Sequence, residues 1–197
     1  MKPASLILIG AGGHARACID VIEQGCDYRI AGLVGVSGEI GSVQCGHVVI
    51  ASDEGLEQLR AQHDLAFIGV GHIRSPQLRI RLFARLLELG FCLPTLVSPT
   101  AYVSPYATIG PGSIVMHGAI VNAGATIGSN CIINSCALVE HDVRIGDHCH
   151  LSTGAILNGE VVLGDGSFVG SASVVKEGLS IPAGSLLGMG SVVRKVA

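Results

Sequence analysis

Residues 115–144 read VMHGAI-VNAGAT-IGSNCI-INSCAL-VEHDVR when they are divided every six positions. An aliphatic residue begins each block, and this spacing continues without a break from Val97 to Val193. A mostly small residue follows four places later, as at Ala119 and Ala125. A six-residue repeat is the signature of a parallel β-helix, in which short strands meet at corners and each aliphatic side chain points inward. The pattern therefore predicts a β-helix domain over residues 95–197.

No insertion interrupts the repeat, so we expect no long loop to leave the coils. With three faces, one coil takes about 18 residues, and the segment makes about five coils. A functional site on such a domain must therefore be built from corner residues.

The chain before residue 95 follows a different pattern. Strands are predicted at residues 5–10, 28–36 and 65–71, and helices at residues 13–25, 53–63 and 75–90. Strand–helix alternation of this kind is typical of a small parallel α/β sheet. We therefore expect a Rossmann-like α/β domain over residues 1–94, followed by the β-helix.

Composition excludes several classes of function. The 197 residues are 49% hydrophobic, and the net charge of −3 gives no basic surface for nucleic acid. No apolar run approaches the roughly 20 residues of a membrane-spanning helix. The first apolar run leads into a glycine-rich turn, which argues against a signal peptide. We expect a soluble cytoplasmic protein.

The cysteines form no CxxC pair, and we expect buried fillers in a reducing compartment rather than disulfides or a zinc site. They are Cys18, Cys26, Cys45, Cys92, Cys131, Cys136 and Cys149.

Two short motifs carry ionisable or phosphate-binding groups. His141 lies between Glu140 and Asp142 at a predicted corner, where a neighbouring carboxylate can orient an imidazole that acts as a base. A solvated corner without a role is the alternative interpretation. The turn GAGGHA at residues 10–15 joins a strand to a helix, so its N–H groups can approach a phosphate. A tight connection without a ligand is the alternative there.

LIGAGGHA (residues 8–15), an uninterrupted hexapeptide domain and VEHD (residues 139–142) together resemble the hexapeptide-repeat sugar acetyltransferases of the NeuD/PglD type. The resemblance covers essentially the whole chain. It implies a left-handed β-helix, with acetyl-CoA as co-substrate and no metal. It implies acetylation of a nucleotide-linked amino sugar, such as a UDP- or GDP-4-amino-4,6-dideoxy sugar, in bacterial surface-glycan biosynthesis. It also implies a homotrimer with acetyl-CoA between neighbouring β-helices.

The resemblance further assigns roles to individual residues, with His141 as general base and Asp142 as the acid that orients it. The residues matched to the nucleotide-sugar acceptor are Gly10, Gly12, Gly13, His14 and Asn134. Those matched to acetyl-CoA are His150, Gly159, Ser171 and Met189. The chain also departs from the family, because relatives often end the second strand with an aspartate, whereas residues 31–36 contain no acid.

Three other functions stay open from the sequence. The same base could serve O-acetylation of a sugar such as sialic acid. The missing acid after the second strand favours a non-catalytic scaffold that binds a nucleotide sugar. A zinc site is a minor alternative because no two histidines are 18 residues apart, as stacking on successive coils requires.

Overall fold

The computed structural model describes residues 3–25 and 27–195. The chain divides into two compact units. One runs up to Gly71 and continues over Leu78–Pro94, and the other takes in His72–Gln77 and the chain from Thr95 onward. The segment His72–Gln77 therefore belongs with the repeat, although its neighbours in sequence on both sides belong to the first unit.

The first unit is an α/β fold. Its described strands are β1 (Ala4–Ile9), β2 (Tyr28–Gly35), β3 (Val43–Gln44), β4 (His47–Ser52) and β5 (Leu65–Ile68). Its described helices are α1 (Gly13–Gly25), α2 (Leu56–Arg60) and α3 (Gln77–Glu88), with 3₁₀ turns at Ser37–Glu39 and Asp53–Gly55. The sheet order is β3-β4-β2-β1-β5, and every pairing is parallel except β3 with β4. Fold class and the three predicted strands are confirmed.

The centre of this sheet is apolar on both faces, as a parallel sheet requires. Ile7 and Ile9 of β1 pack in one core cluster with Ile68 of β5, and Leu82 and Leu86 of α3 join the same cluster. Each fully buried aliphatic side chain of this kind stabilises the fold by about 1.5–3 kcal/mol. The packing fixes the ends of β1, β2 and β5, which are the positions that carry the glycine-rich turn and its neighbours.

The pair β3–β4 was missed by the sequence pattern. Its connection is Cys45-Gly46, with φ of 47° and 82°, which is the left-handed geometry of a tight hairpin turn. Val48 and Ile50 of β4 are exposed while Val49 is buried, so the strand is apolar on both sides despite being half solvated. That departure from apolar–polar alternation concealed it.

The second unit is a stack of two-residue strands. In the described part of the chain they are β6 (Leu96–Val97), β7 (Tyr102–Val103), β8 (Thr108–Ile109), β9 (Ile114–Val115), β10 (Ile120–Val121), β11 (Thr126–Ile127), β12 (Ile132–Ile133), β13 (Leu138–Val139), β14 (Arg144–Ile145), β15 (His150–Leu151), β16 (Ile156–Leu157), β17 (Val162–Leu163), β18 (Phe168–Val169), β19 (Val174–Val175), β20 (Ser180–Ile181), β21 (Leu186–Leu187) and β22 (Val192–Val193).

Every third strand pairs in parallel, so residues 18 apart stand side by side, as Ile133 does with Leu151. This produces three sheets, which we call faces. Face 1 contains β6, β9, β12, β15, β18 and β21, face 2 contains β7, β10, β13, β16, β19 and β22, and face 3 contains β8, β11, β14, β17 and β20. The predicted β-helix, including its period, is confirmed.

The second residue of each strand fills the interior. From Val115 to Ile181 each of these aliphatic positions is buried. The ends of the stack depart from the prediction: Val97 is 42% exposed, and Leu187 and Val193 are only partly buried. A terminal coil has a neighbour on one side only, so its inward side chains stay partly open.

Two remaining expectations concern cysteines and membranes. Buried fillers are found at Cys18, Cys131 and Cys149, but Cys45, Cys92 and Cys136 are exposed because they stand at turns or strand ends. Cys26 lies outside the described residues. Among the described residues, no helix is both long and apolar enough to cross a membrane.

Candidate functional site

His141 stands at a turn that the repeat itself creates. β13 ends at Val139, and the following residues turn the chain from face 2 to face 3. Asp142 has a φ of 59°, and its N–H donates to the carbonyl of Ala123 in the preceding coil at 3.1 Å. His141 and Asp142 are both exposed. We call the stacked turns at residues 140–142 and 158–160 the His141 corner.

The two side chains form a hydrogen-bonded pair. The Nδ1–H of His141 donates to Oδ2 of Asp142 at 3.0 Å, which leaves the lone pair on Nε2. Within the described residues, Nε2 makes no hydrogen bond. An imidazole with one nitrogen held by a carboxylate and the other open can act as a general base.

Carboxylates surround this histidine. The hydrogen bond to Asp142 is the main cause that raises the pKa of His141 above its ordinary value of 6.5. Desolvation opposes that rise, and the charges of Asp142, Glu140 and Glu160 add to it. His141 therefore becomes neutral, as a base must be, only at a higher pH than an isolated imidazole does.

Two glycines give this pair its room. A Cβ at Gly159, one coil further on, would lie 2.7 Å from both Cε1 and Nε2 of His141, so the imidazole lies against bare backbone. A Cβ at Gly124, one coil back, would overlap Oδ1 of Asp142. Gly159 was predicted to contact acetyl-CoA, and the structure brings it next to His141. His141 and Gly159 border a groove of about 210 Å³, together with Glu160 and Glu177.

Three other predicted residues share the opposite corner, between face 1 and face 2. Asn134, Ser171 and Met189 lie in the stacked turns at residues 134–136, 170–172 and 188–190, which we call the Asn134 corner. Ser171 Oγ lies 2.9 Å from Ser152 Oγ, and Met189 is exposed. Within one chain these residues are separated from His141 by the width of face 2.

His150 joins the Asn134 corner from face 1, and it is buried. Its ring packs edge-on against Phe168, with centroids 5.1 Å apart, and against His72, with centroids 5.4 Å apart. Its Nδ1–H donates to the carbonyl oxygen of His72 at 2.7 Å. His150 therefore does not face solvent, as a histidine without a role on the outside of the coil would be expected to do.

The hydrogen bonds of His150 define its protonation. The backbone N–H of Ser135 donates to Oδ1 of Asn134 at 2.8 Å, so the amide nitrogen of Asn134 must face His150. That nitrogen donates to Nε2 of His150 at 3.2 Å, and Nε2 can accept only if it carries no proton. His150 is thus a neutral Nδ1–H imidazole. The predicted contact between His150 and an acetyl carbonyl stays a prediction, and it requires Asn134 to release Nε2 and the proton to move there.

Face 2 is the surface that lies between the two corners. Its outward side chains are apolar in every coil: Tyr102, Ile120, Leu138, Ile156, Val174 and Val192. Tyr102, Ile120 and Val192 are exposed. Face 3 differs, because threonine, arginine and serine stand at its outward positions alongside Val162.

The glycine-rich turn lines a separate cavity in the α/β unit, of about 330 Å³. Gly10, with φ of 117°, turns the chain out of β1, and a Cβ there would lie 3.0 Å from Val70. Apart from the adjoining backbone, no atom lies within 4 Å of a Cβ built at Gly12 or Gly13, and both glycines line the cavity at the start of α1. His14 lines the same cavity. The four predicted residues of this turn are therefore together.

The cavity also contains two carboxylates that the sequence did not assign, Glu39 and Asp53. The residues of β2 itself carry no acid, as predicted, but an acid from the following 3₁₀ turn reaches the same wall. In the described part of the chain, no three His, Cys, Asp or Glu side chains lie close enough together to hold a metal ion.

Comparisons with known proteins identify the family of both units. Residues 5–86 match the family model of the PglD N-terminal domain. Residues 106–141 and 124–159 match the bacterial transferase hexapeptide model of six repeats. No curated protein matches the chain.

Solved structures match over nearly the full length. PerB from Caulobacter crescentus, in complex with CoA and GDP-perosamine, is 34% identical, with a TM-score of 0.90 over 98% of this chain and 90% of that one. The acetyltransferase domain of PglB from Neisseria gonorrhoeae, in complex with acetyl coenzyme A, is 30% identical, with a TM-score of 0.89 over 98% of this chain and 92% of that one. WeeI from Acinetobacter baumannii shares the fold at 19% identity, with a TM-score of 0.77 over 96% and 97% of the two chains.

Proposed function

This chain belongs to the NeuD/PglD-type family of hexapeptide-repeat sugar acetyltransferases, and from that premise we propose that it transfers the acetyl group of acetyl-CoA to the amine of a nucleotide-linked amino sugar. It is an acetyltransferase. PerB, which binds CoA and GDP-perosamine, and PglB, which binds acetyl coenzyme A, support both substrates. A UDP- or GDP-linked 4-amino-4,6-dideoxy sugar for surface-glycan biosynthesis in the cytoplasm fits this chemistry.

The observation that carries the proposal is the His141–Asp142 pair with its open Nε2. The sugar amine attacks the thioester carbonyl carbon, a C–N bond forms, and the C–S bond breaks with its electron pair left on sulfur. Nε2 of His141 accepts the proton that the amine loses, and coenzyme A takes up a proton and leaves as the free thiol. Asp142 keeps Nδ1 protonated and stabilises the imidazolium that forms.

Charge favours an amino sugar over sialic acid as the acceptor. Glu160 and Glu177 line the groove beside His141, and Glu140 belongs to the same turn. These carboxylates attract a protonated amine, and they repel the carboxylate that sialic acid carries. Lys176 is the cation next to these carboxylates, and it is already paired with Glu177, with Nζ 3.9 Å from Oε1. O-acetylation of sialic acid is therefore the second candidate.

We propose a homotrimer in which face 2 of each copy is covered by its neighbours. The apolar outward residues of face 2 support this, since an exposed apolar surface that is rimmed by polar residues marks an interface. Packing along face 2 brings the His141 corner of one copy against the Asn134 corner of the next. Acetyl-CoA would then lie between Gly159 of one copy and Ser171 and Met189 of another.

The acceptor's nucleotide is assigned to the glycine-rich turn. Gly12 and Gly13 line the cavity at the start of a 13-residue helix, where no side chain covers their backbone, and this arrangement suits a diphosphate. Asn134 is assigned to the acceptor side of the reaction, with His150 holding its amide in place.

The test is release of free thiol from acetyl-CoA with a panel of UDP- and GDP-linked amino sugars and sialic acid, using wild type and His141→Ala. We expect turnover with one amino sugar, and a loss of about 10²–10⁴-fold in kcat in the variant because a general base contributes that much. Equal rates in the two proteins would remove His141 from the mechanism. No turnover on any member of the panel would favour the non-catalytic scaffold.

A shared active site has its own test. We expect His141→Ala and Ser171→Trp to be inactive separately, and to regain about a quarter of wild-type activity when they are refolded together, because mixed trimers then contain intact sites. Mixing two His141 variants is the control and should restore nothing. No recovery in the mixed sample, with trimers present by light scattering, would contradict sharing between these two corners.

A further inference from the structure

The cavity at the glycine-rich turn has an acidic side that the family resemblance does not explain. Residues 31–36, at the end of β2, contain no acid. Glu39 and Asp53 nevertheless line the cavity. The inference below rests on the proposed function, since it concerns how the nucleotide of the acceptor is held.

Glu39 folds back onto the strand that precedes it. It ends the 3₁₀ turn Ser37–Glu39, and its Oε2 accepts the backbone N–H of Val36 at 3.1 Å. A Cβ at Gly35, the last residue of β2, would lie 2.6 Å from that same Oε2. Gly35 thus leaves the space that the carboxylate occupies, and an acid four residues later in sequence stands at the carboxyl end of β2.

Strand order places this carboxylate relative to the turn. The glycine-rich turn follows β1, β2 is the neighbour of β1, and β4, which is followed by Asp53, lies beyond β2. Adjacent strands are about 4.8 Å apart, which is close to the step from one chemical group of a nucleotide to the next. With the diphosphate at the turn, the ribose falls at the end of β2 and the base falls towards the end of β4.

Charge and hydrogen-bonding capacity select the same group. An ionised carboxylate only accepts hydrogen bonds, so it repels phosphate and binds hydroxyl or N–H donors. One oxygen of Glu39 is held by Val36, which fixes the carboxylate. In a nucleoside diphosphate bound at the glycine-rich turn, the ribose lies nearest to Glu39. Its two hydroxyls are therefore the hydrogen-bond donors available to this carboxylate.

We propose that Glu39 accepts hydrogen bonds from the ribose hydroxyls of the acceptor's nucleoside diphosphate, and that Gly35 is required for its position. Glu39 is therefore a specificity-determining residue, which discriminates ribonucleotides from deoxyribonucleotides. It reaches the cavity from the 3₁₀ turn that follows β2.

The test is calorimetric binding of GDP and UDP, and of their 2′-deoxy and 3′-deoxy forms, to the full-length protein. We expect wild type to lose about tenfold or more in affinity when a hydroxyl is removed, because a charged acceptor is left unpaired. Glu39→Gln keeps an oxygen for Val36 but removes the charge, so it should bind the ribonucleotide more weakly and lose most of its sensitivity to the hydroxyl. Gly35→Ala should behave in the same way.

Asp53→Asn is the matched control. It removes the same charge from the same cavity one strand further out, so its sensitivity to the hydroxyl should remain that of wild type. Thermal unfolding of each variant checks that the α/β unit is folded. If Gly35→Ala is unfolded, the hydroxyl sensitivity of Glu39→Gln alone tests whether Glu39 binds the ribose.

Three results would overturn the inference. Undiminished hydroxyl sensitivity in Glu39→Gln would remove Glu39 from ribose binding and leave the proposed function standing. If Glu39→Gln instead lost discrimination between GDP and inosine diphosphate, the carboxylate would bind the base edge. Failure of wild type to bind GDP or UDP would overturn this inference together with a GDP- or UDP-linked acceptor.

Discussion

His141 and His150 lie nine residues apart on the same β-helix, yet they occupy opposite environments. The side chain of His141 is 60% exposed, with one nitrogen bound to Asp142 and the other open. His150 is 6% exposed, and each of its nitrogens has a partner. The first can gain and lose a proton without disturbing its neighbours. The second cannot be protonated on Nε2 without breaking its hydrogen bond to Asn134.

The comparison shows that a six-residue repeat sorts its side chains by position. His141 is the third residue of its hexad and stands at a corner, where the backbone turns away from the core. His150 is the last residue of its hexad and begins β15, where the first residue of a strand points out from face 1. The repeat fixes where each side chain points, and the surroundings of that position decide whether it serves chemistry or packing.

The largest expected difference is between alanine variants at the two histidines. His141→Ala should lose about 10²–10⁴-fold in kcat while its free energy of unfolding changes by less than about 0.5 kcal/mol, because the side chain is exposed. His150→Ala should lose about 2–3 kcal/mol of unfolding free energy, since a buried ring and two hydrogen bonds disappear. Urea unfolding and thiol-release kinetics measure both quantities.

The comparison fails if His150→Ala is as stable as wild type and as inactive as His141→Ala. In that case His150 would contact the acetyl group, and the arrangement described for Asn134 would change on binding. His150→Gln, which keeps a hydrogen-bonding side chain, should recover part of the stability.

A smaller effect is expected at Gly159. Gly159→Ala places a methyl group against the imidazole of His141, so we expect kcat to fall about tenfold to a hundredfold by displacement of the base. Gly25→Ala serves as control, because no atom lies within 4 Å of a Cβ there. Unchanged kcat in Gly159→Ala would show that the imidazole takes another position during turnover.

The smallest effect concerns pH. The base must be neutral, and the pKa of His141 is raised, so kcat/KM should rise with pH through an acid limb that lies above 6.5. Asp142→Asn removes the negative charge that strengthens this hydrogen bond and raises the pKa of His141, so the limb should move to lower pH while the maximum rate falls. A limb that stays in place in Asp142→Asn would show that another group titrates.

Much of the β-helix could be predicted because one residue in six is enough to define it. Ile133 and Val139 point inward as the period requires, and the corner that follows places His141 and Asp142 together. The α/β unit was harder. β1, β2 and β5 could be predicted because they are short apolar runs. β4 lies near the edge of the sheet with Val48 and Ile50 exposed, so its pattern is less clear. The turn at Cys45-Gly46 was the available sequence signal for the β3–β4 hairpin.

The acids of both cavities were missed for a different reason. Glu39 acts through its side chain folding back onto Gly35, and Glu160 meets His141 only because residues of successive coils stack. Glu160 could have been found by adding 18 to Asp142, since the repeat was known. For Glu39 the sequence offered no signal, because a fold-back of this kind depends on a single local turn. The tautomer of His150 likewise depends on His72, which lies 78 residues away.

The hydrogen bond between His150 and His72 joins two parts of the chain that are synthesised at different times. The segment His72–Gln77 leaves the ribosome early, between β5 and α3, but it belongs with coils that are synthesised much later. At roughly 5–20 residues per second, the 78 residues that separate His72 from His150 take about 4–16 s to add. During that interval the strands of the α/β sheet can pair with β1, whereas His150, the partner of His72, has not yet been synthesised. Completion of the third coil is therefore the first moment at which the hydrogen bond from His150 to the carbonyl of His72 can form.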